Sequence, residues 1–176
     1  MPFYPGPGVG GHCIPLDPHY LEWKAKEFNF NTHFIALAGE INRKMPEFVR
    51  EKTHRVLNQL GIAPSRARIL IMGVSYKRNL GDSRESPAIE VIKLLREDGS
   101  GIVYHDPYVP AFSEHGIVME NTPLSEELLG ECDLVVITAD HSCIDYPWLV
   151  EKATHVLDTR NATRRVAGNR HKITLL

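Results

Sequence analysis

The stretch Arg68-Ile-Leu-Ile-Met-Gly-Val74 decides the fold. It is a short apolar run with no polar alternation, the pattern of a strand buried on both faces of a parallel sheet. Working outward, Ser86-Pro87 opens a helix with proline at its first position, and Gly99 closes it after Asp98. Gly101 to His105 reads as a second strand. Asp133 to Ala139 reads as a third, after a helix near Ser125 to Gly130. His155 to Asp158 is a fourth, after a helix over Tyr146 to Ala153. Strands alternating with helices predict a parallel sheet covered on both faces. On the other side of the opening stretch, Gly61 ends a long helix predicted from about Thr32 to Leu60. Its Phe34, Ile35, Leu37, Ala38, Ile41, Met45, Phe48, Val49, Val56, Leu57 and Leu60 recur at helical spacing, and Pro46 is expected to kink or interrupt it. A short helix is predicted over about Pro18 to Phe28. Residues 1–17 hold four prolines and four glycines and read as a loop. The predicted architecture is α/β: a helical lead-in over residues 1–61, then a Rossmann-like parallel-sheet domain over residues 62–176.

Composition excludes several classes of function. At 176 residues, 43% hydrophobic and 24% charged, the chain is long enough and apolar enough for a core that needs no staples. A net charge of -2 without a Lys/Arg block leaves no footprint for nucleic acid. Apolar runs such as Leu134 to Ile137 are too short to cross a bilayer. The start, Met-Pro-Phe-Tyr-Pro-Gly, has neither the charged nor the apolar region of a signal peptide. Three cysteines without CxxC spacing argue against a disulfide framework or a structural zinc site, and a cytoplasmic protein is expected. Nine histidines include no HExxH or comparable spacing, so no metal site is expected and they read as surface or packing residues. Cys132 and Cys143 read as structural. Asp140-His141-Ser142 beside Cys143 tempts a triad reading, but members of such constellations usually meet in space rather than in sequence.

Gly6-x-Gly8-x-x-Gly11 is formally a dinucleotide fingerprint. A genuine one follows a strand and opens a helix, whereas here no strand precedes it and Pro15 and Pro18 follow, so the cofactor reading is rejected. Glycines leading into His12-Cys13 do allow close backbone approach to a ligand and present N–H groups to it. Cys13 in that loop reads either as a nucleophile or as a small buried hydrophobe. By residue type and position Asp17 reads as the N-cap of a helix starting at Pro18.

Gly8-Val-Gly-Gly-His-Cys-Ile-Pro-Leu-Asp-Pro18 resembles the catalytic cysteine loop of the UDP-glucose/GDP-mannose dehydrogenase family. About sixty residues on, Gly73-Val-Ser-Tyr-Lys-Arg-Asn-Leu-Gly-Asp-Ser-Arg-Glu-Ser-Pro87 is similar to the family segment that binds the nucleotide sugar and reaches toward NAD. Tyr104-His-Asp-Pro107 and Asp158-Thr-Arg-Asn161 follow in the family's order, and the resemblance runs from Phe3 to about Arg164. It implies a UDP-sugar-binding domain and oxidation of the sugar's primary alcohol to a carboxylate with reduction of two NAD⁺. It implies Cys13 as the thiol that forms a thiohemiacetal and then a thioester, and Asp17 as the carboxylate assisting hydrolysis. Lys77 would bind the nucleotide sugar, its bland alternative being a solvated loop charge. Arg84 would meet the NAD pyrophosphate, its alternative being an ion pair with Glu85 or Asp82. Arg160 would lie near the sugar or its phosphates, its alternative being a pair with Asp158. The amides of Gly10 and Gly11 would hold the sugar, and Tyr4 would touch a phosphate. With Leu16 where UDP-glucose enzymes carry lysine, the loop looks more like that of UDP-N-acetylhexosamine dehydrogenases. N-acetylglucosamine is preferred, with N-acetylmannosamine and N-acetylgalactosamine also open. The family's NAD-binding Rossmann domain has no match here. The resemblance therefore implies a C-terminal part of such an enzyme, inactive alone and a homodimer or higher oligomer when full length. The rival reading is a non-catalytic nucleotide-sugar-binding or dimerisation module from a truncated gene. The joint presence of Cys13, Asp17, Lys77 and Arg84 counts against it.

Overall fold

The computed structural model describes residues 4–176. The expected buried strand is β1 (Arg68–Met72), its last four residues buried. It lies second in a five-stranded sheet, β2 (Gly101–His105), β1, β5 (Leu134–Ile137), β6 (Val156–Asp158) and β7 (Ile173–Leu175) in spatial order. All four neighbouring pairs are parallel. Side-chain alternation along the strands splits the core into two layers. Ile69 and Ile71 of β1 and Leu134 and Val136 of β5 face one cluster, with Val56 and Leu57 from α2 (His33–Gln59) and Ile89, Ile92 and Leu95 from α3 (Pro87–Glu97). Leu70, Met72, Val135 and Ile137 face the other, against Leu128 and Leu129 of α4 (Glu126–Glu131) and Leu149 and Val150 of α5 (Tyr146–Lys152). Both faces are therefore covered, as the unbroken apolar strands require.

The helix boundaries follow local chemistry. Ser86 caps α3 by accepting from the Ala88 N–H at 3.3 Å, Pro87 follows at its first turn, and Gly99 leaves it at φ +85°. In α2 Pro46 is buried, and the 27-residue helix runs through it instead of breaking. The second half of α2 belongs to the core, and its Arg50 and His54 both bond Asp98 at the end of α3, His54 at 2.7 Å.

Three features differ from the sequence expectation. Helix α1 (Cys13–Lys26) begins five residues earlier than Pro18, so the loop ends at His12 and Asp17 lies inside the helix rather than capping it. The prolines permit this. Pro15 falls in the first turn, where N–H groups have no helical partner, so only Pro18 removes a helical bond. Second, an antiparallel hairpin, β3 (Ala111–Glu114) and β4 (Ile117–Glu120), follows β2 and turns through His115 and Gly116, both at positive φ. Third, β7 extends the sheet past β6. Residues 1–3 of the expected N-terminal loop lie outside the described residues.

Strand order reverses at β1: the chain passes from β1 to β2 on one side and later returns to β5 on the other. In open α/β sheets the crevice at the carboxyl ends beside such a reversal is where ligands bind.

Candidate functional site

The carboxyl ends of β1, β2 and β5 are tied by one buried carboxylate. Asp106, just past β2, accepts from the N–H groups of Val74 (2.8 Å) and Ser75 (2.9 Å), the Ser75 hydroxyl (2.8 Å), His141 Nε2 (3.1 Å) and the Tyr108 N–H (2.8 Å). Burial alone would raise its pKa, but the His141 bond and the backbone donors prevail and hold it at about 2. His141, fully buried, also accepts from the Asn79 N–H at Nδ1 (2.9 Å), while Asn79 Oδ1 accepts from the Ser142 N–H (2.8 Å). The loop after β1 is thus fastened at both ends, with Lys77 and Arg78 exposed between them. Lys77 has no ion pair among the described residues.

Asp158 does the same at the end of β6. It accepts from the N–H groups of Arg160 (3.0 Å), Ala162 (3.1 Å) and Thr163 (2.8 Å) and from the Thr163 hydroxyl (2.6 Å). The expected Arg160–Asp158 alternative is therefore a backbone bond. The Arg160 guanidinium instead lies 3.8 Å from Asp140, whose other oxygen is 3.7 Å from Arg78. Arg78, Arg160, Arg164, Asp140 and Tyr4 line a cleft of about 660 Å³.

The glycine loop docks onto this end of the sheet. A Cβ on Gly6 would lie 2.5 Å from Arg160, and one on Gly11 would lie 2.9 Å from the Tyr76 ring. Gly10 presses on the Glu85 carbonyl, Pro87 and Tyr76, so both glycines of the pair are buried against protein. The Val9 backbone is clasped by the Asn42 side chain, which accepts at 2.7 Å and donates at 3.1 Å. Cys13 emerges from the loop as the first residue of α1 and is exposed. Asp17, also exposed, follows four residues later on the same helical face. Arg84 forks onto Asp82 at 2.9 and 2.7 Å, which selects the ion-pair partner left open by the sequence. That pairing outweighs desolvation and holds Asp82 at about 2, with His12 adding a smaller charge effect from the neighbouring loop.

The sequence-derived residues therefore gather at one end of the sheet, except that their contacts are made by others. Tyr76, Asp106, Asp140, His141 and Asn42 were not singled out as site residues. Four of them lie after strands and Asn42 lies within α2, and no local pattern joins them to their partners: Asp106 meets Val74, Ser75 and His141, His141 meets Asn79, and Asn42 meets Val9, all 31 to 62 residues apart. Cys143, expected to be structural, is exposed in the turn after β5, whereas Cys132 is buried at the end of α4. Burial pushes the Cys132 thiol up to about 11. Among the described residues no group of three or more His, Cys, Asp or Glu is placed to hold a metal. No helix there is long and apolar enough to cross a membrane. A second groove, about 1000 Å³ and apolar, runs between the glycine loop, α1 and α2 past Ile14, Phe34, Ile41 and Met45.

A parallel sheet with cationic loops at its switch point, approached by a glycine loop ending in an exposed cysteine, defines a Rossmann-like nucleotide-binding unit with an added thiol. Comparison with known proteins narrows this class. Residues 70–165, more than half of the chain, match the UDP binding domain of the UDP-glucose/GDP-mannose dehydrogenase family, and residues 1–44 match that family's central domain. A UDP-N-acetyl-D-mannosamine dehydrogenase of Methanococcus maripaludis (strain C7) is 40% identical over 139 residues, 78% of this chain and 29% of that protein. A UDP-N-acetyl-D-glucosamine 6-dehydrogenase of Pseudomonas aeruginosa is 32% identical, over 81% of this chain and 33% of that protein. The structure of a UDP-D-ManNAc dehydrogenase from Pyrococcus horikoshii superposes with a TM-score of 0.75 at 30% identity, covering 91% of this chain and 37% of that one. The chain belongs to the UDP-glucose/GDP-mannose dehydrogenase family. It spans about a third of the length of these relatives.

Proposed function

We propose that this chain is the nucleotide-sugar-binding part of an NAD-dependent UDP-sugar 6-dehydrogenase, with a UDP-N-acetylhexosamine as substrate. Residues 62–176 form the UDP-sugar-binding unit, and residues 1–61 carry the cysteine loop and its helices. The observation that carries the reading is the docking of Gly10 and Gly11 on Tyr76, Glu85 and Pro87. It joins the thiol loop to the loop bearing Lys77 and Arg84, two motifs distant in sequence. Lys77 and Arg160 stand at strand carboxyl ends, where cations suit a diphosphate. Tyr4 borders the same cleft and would reach a phosphate. The N–H groups of Gly10 and Gly11 would hold the sugar.

Cys13 would add its thiolate to the C6 aldehyde, because an aldehyde has no hydride to give until a tetrahedral adduct forms. The free N–H groups in the first turn of α1 would face the oxygen of that adduct. Asp17, one turn along the same face, would take the proton of the water that cleaves the thioester. NAD fits these residues at one edge only. Arg84 is exposed and would meet its pyrophosphate, whereas among the described residues no strand precedes Gly6, Gly8 and Gly11, and Gly6 and Gly11 are packed on protein. When bound, NAD supplies the hydride acceptor. Three free thiols fit a reducing compartment, and we place the protein in the cytoplasm. Helix α1 buries no residue, and α2 leaves Phe34 90% exposed. That apolar face is where further parts of the enzyme and a second subunit would pack.

Calorimetric titration of the chain tests the reading. UDP should bind and NAD⁺ should bind weakly or not at all; tight NAD⁺ binding without UDP binding would overturn it.

A further inference from the structure

The sheet's switch point contains a buried imidazole that no step above uses. His141 has no exposed surface, and both its ring nitrogens are engaged. A backbone N–H always carries its hydrogen, so the Asn79 amide at 2.9 Å requires a bare Nδ1. The remaining proton then sits on Nε2 and is donated to Asp106 at 3.1 Å. The Asp106 carboxylate fits this role, since its Oδ2 already accepts from Val74, Ser75 and the Ser75 hydroxyl. Asn79 itself has φ +57°, a left-handed conformation that needs outside support, and its side chain binds the Ser142 N–H.

We propose that His141 is a positioning residue for nucleotide binding. It acts as a one-tautomer clamp that fixes the Lys77–Arg78–Asn79 corner against the ends of β2 and β5. It touches no ligand. Its two nitrogens separate two jobs: Nε2 satisfies Asp106, and Nδ1 holds the corner that presents Lys77. The inference rests on the UDP-binding reading for its functional consequence, but the clamp has its own ligand-free readout.

His141→Asn keeps an acceptor near the place of Nδ1 and removes the donor to Asp106. His141→Gln keeps a donor near Nε2 and removes the acceptor for Asn79. Each leaves one group short, so a merely structural histidine would make the two variants alike. The clamp predicts a difference. His141→Gln should speed amide exchange at Asn79 by tenfold or more and weaken UDP binding about tenfold. His141→Asn should do clearly less to both, even where the two melt at similar temperatures. Equal effects of the two variants on Asn79 exchange would overturn the proposal. In the wild type, imidazole ¹⁵N spectra should show Nε2 protonated and Nδ1 bare; the opposite tautomer overturns it even if neither variant folds. Should the wild type fail to bind UDP, the nucleotide reading falls. The exchange and tautomer measurements would then still decide whether the clamp exists.

Discussion

Gly10→Ala tests whether the cysteine loop is seated on the nucleotide-binding loop by close packing. A Cβ at residue 10 would collide with the Glu85 carbonyl and lie 2.9 Å from Pro87 Cδ and 2.9 Å from Tyr76 Cβ. Ordinary carbon contacts sit at about 3.5–4.0 Å. None of these atoms is the far end of a flexible side chain, so the loop has to lift by several tenths of an ångström. Overpacking of this kind costs about 1–3 kcal/mol. In a chain of this length each kcal/mol lowers the melting temperature by about 2–4 °C, so calorimetry should show a fall of roughly 2–12 °C. Because the same lift carries Cys13 away from Lys77, affinity for a UDP-sugar should fall more than affinity for UDP. Gly130→Ala is the control: its Cβ would meet no atom within 4 Å, and it lies in α4. It should be neutral or stabilise by about 0.5–1 kcal/mol. If Gly10→Ala melts with the wild type and binds both ligands as well, the docking contact is not what joins the two loops.

Asp106, at about 2 against an ordinary 3.8, has a depressed folded-state pKa. Its contribution is present above about pH 4 and lost as pH falls toward 2, on the order of 2 kcal/mol. Acid melts of the wild type should lose that stability in this window, and Asp106→Asn should lack the corresponding part of the slope; parallel profiles would refute it. At limiting iodoacetamide, buried Cys132 should stay unlabelled. Cys13, exposed at the end of the glycine loop, should react before Cys143, and mass spectrometry of the peptides would show the reverse order if this is wrong. In an enzyme containing this chain that turns over a UDP-sugar, Asp17→Asn should slow thioester hydrolysis about 10²- to 10⁴-fold and leave a burst of NADH. Near wild-type turnover would remove Asp17 from the chemistry.

The sheet was legible because β1 and β5 are unbroken apolar strands flanked by well-capped helices. Ser86, Pro87 and Gly99 behave as their residue types dictate. The start of α1 was not legible, since Pro15 and Pro18 signal breaks unless one knows that the first turn already lies at Cys13. The hairpin carried a readable signal that went unused: Phe112, Ile117 and Met119 point inward at alternate positions on either side of His115-Gly116. In the site, glycine and cysteine motifs marked the loops. What fixes those loops was hidden, because Asp106, His141 and Asn42 act on residues more than thirty positions away. The glycines also pack against Tyr76 and Arg160, a contact that no local pattern in the sequence signals.

Whether Cys13 stands at the sugar end of a UDP-sugar site can be measured directly on this chain. Alkylation of Cys13 and Cys143 would be followed by peptide mass spectrometry with no ligand, with saturating UDP and with saturating UDP-N-acetylhexosamine. The UDP-sugar should protect Cys13 strongly, UDP should protect it less, and Cys143 should serve as the internal reference. If the UDP-sugar binds while Cys13 reacts as fast as in the free chain, the thiol and the nucleotide site are separate.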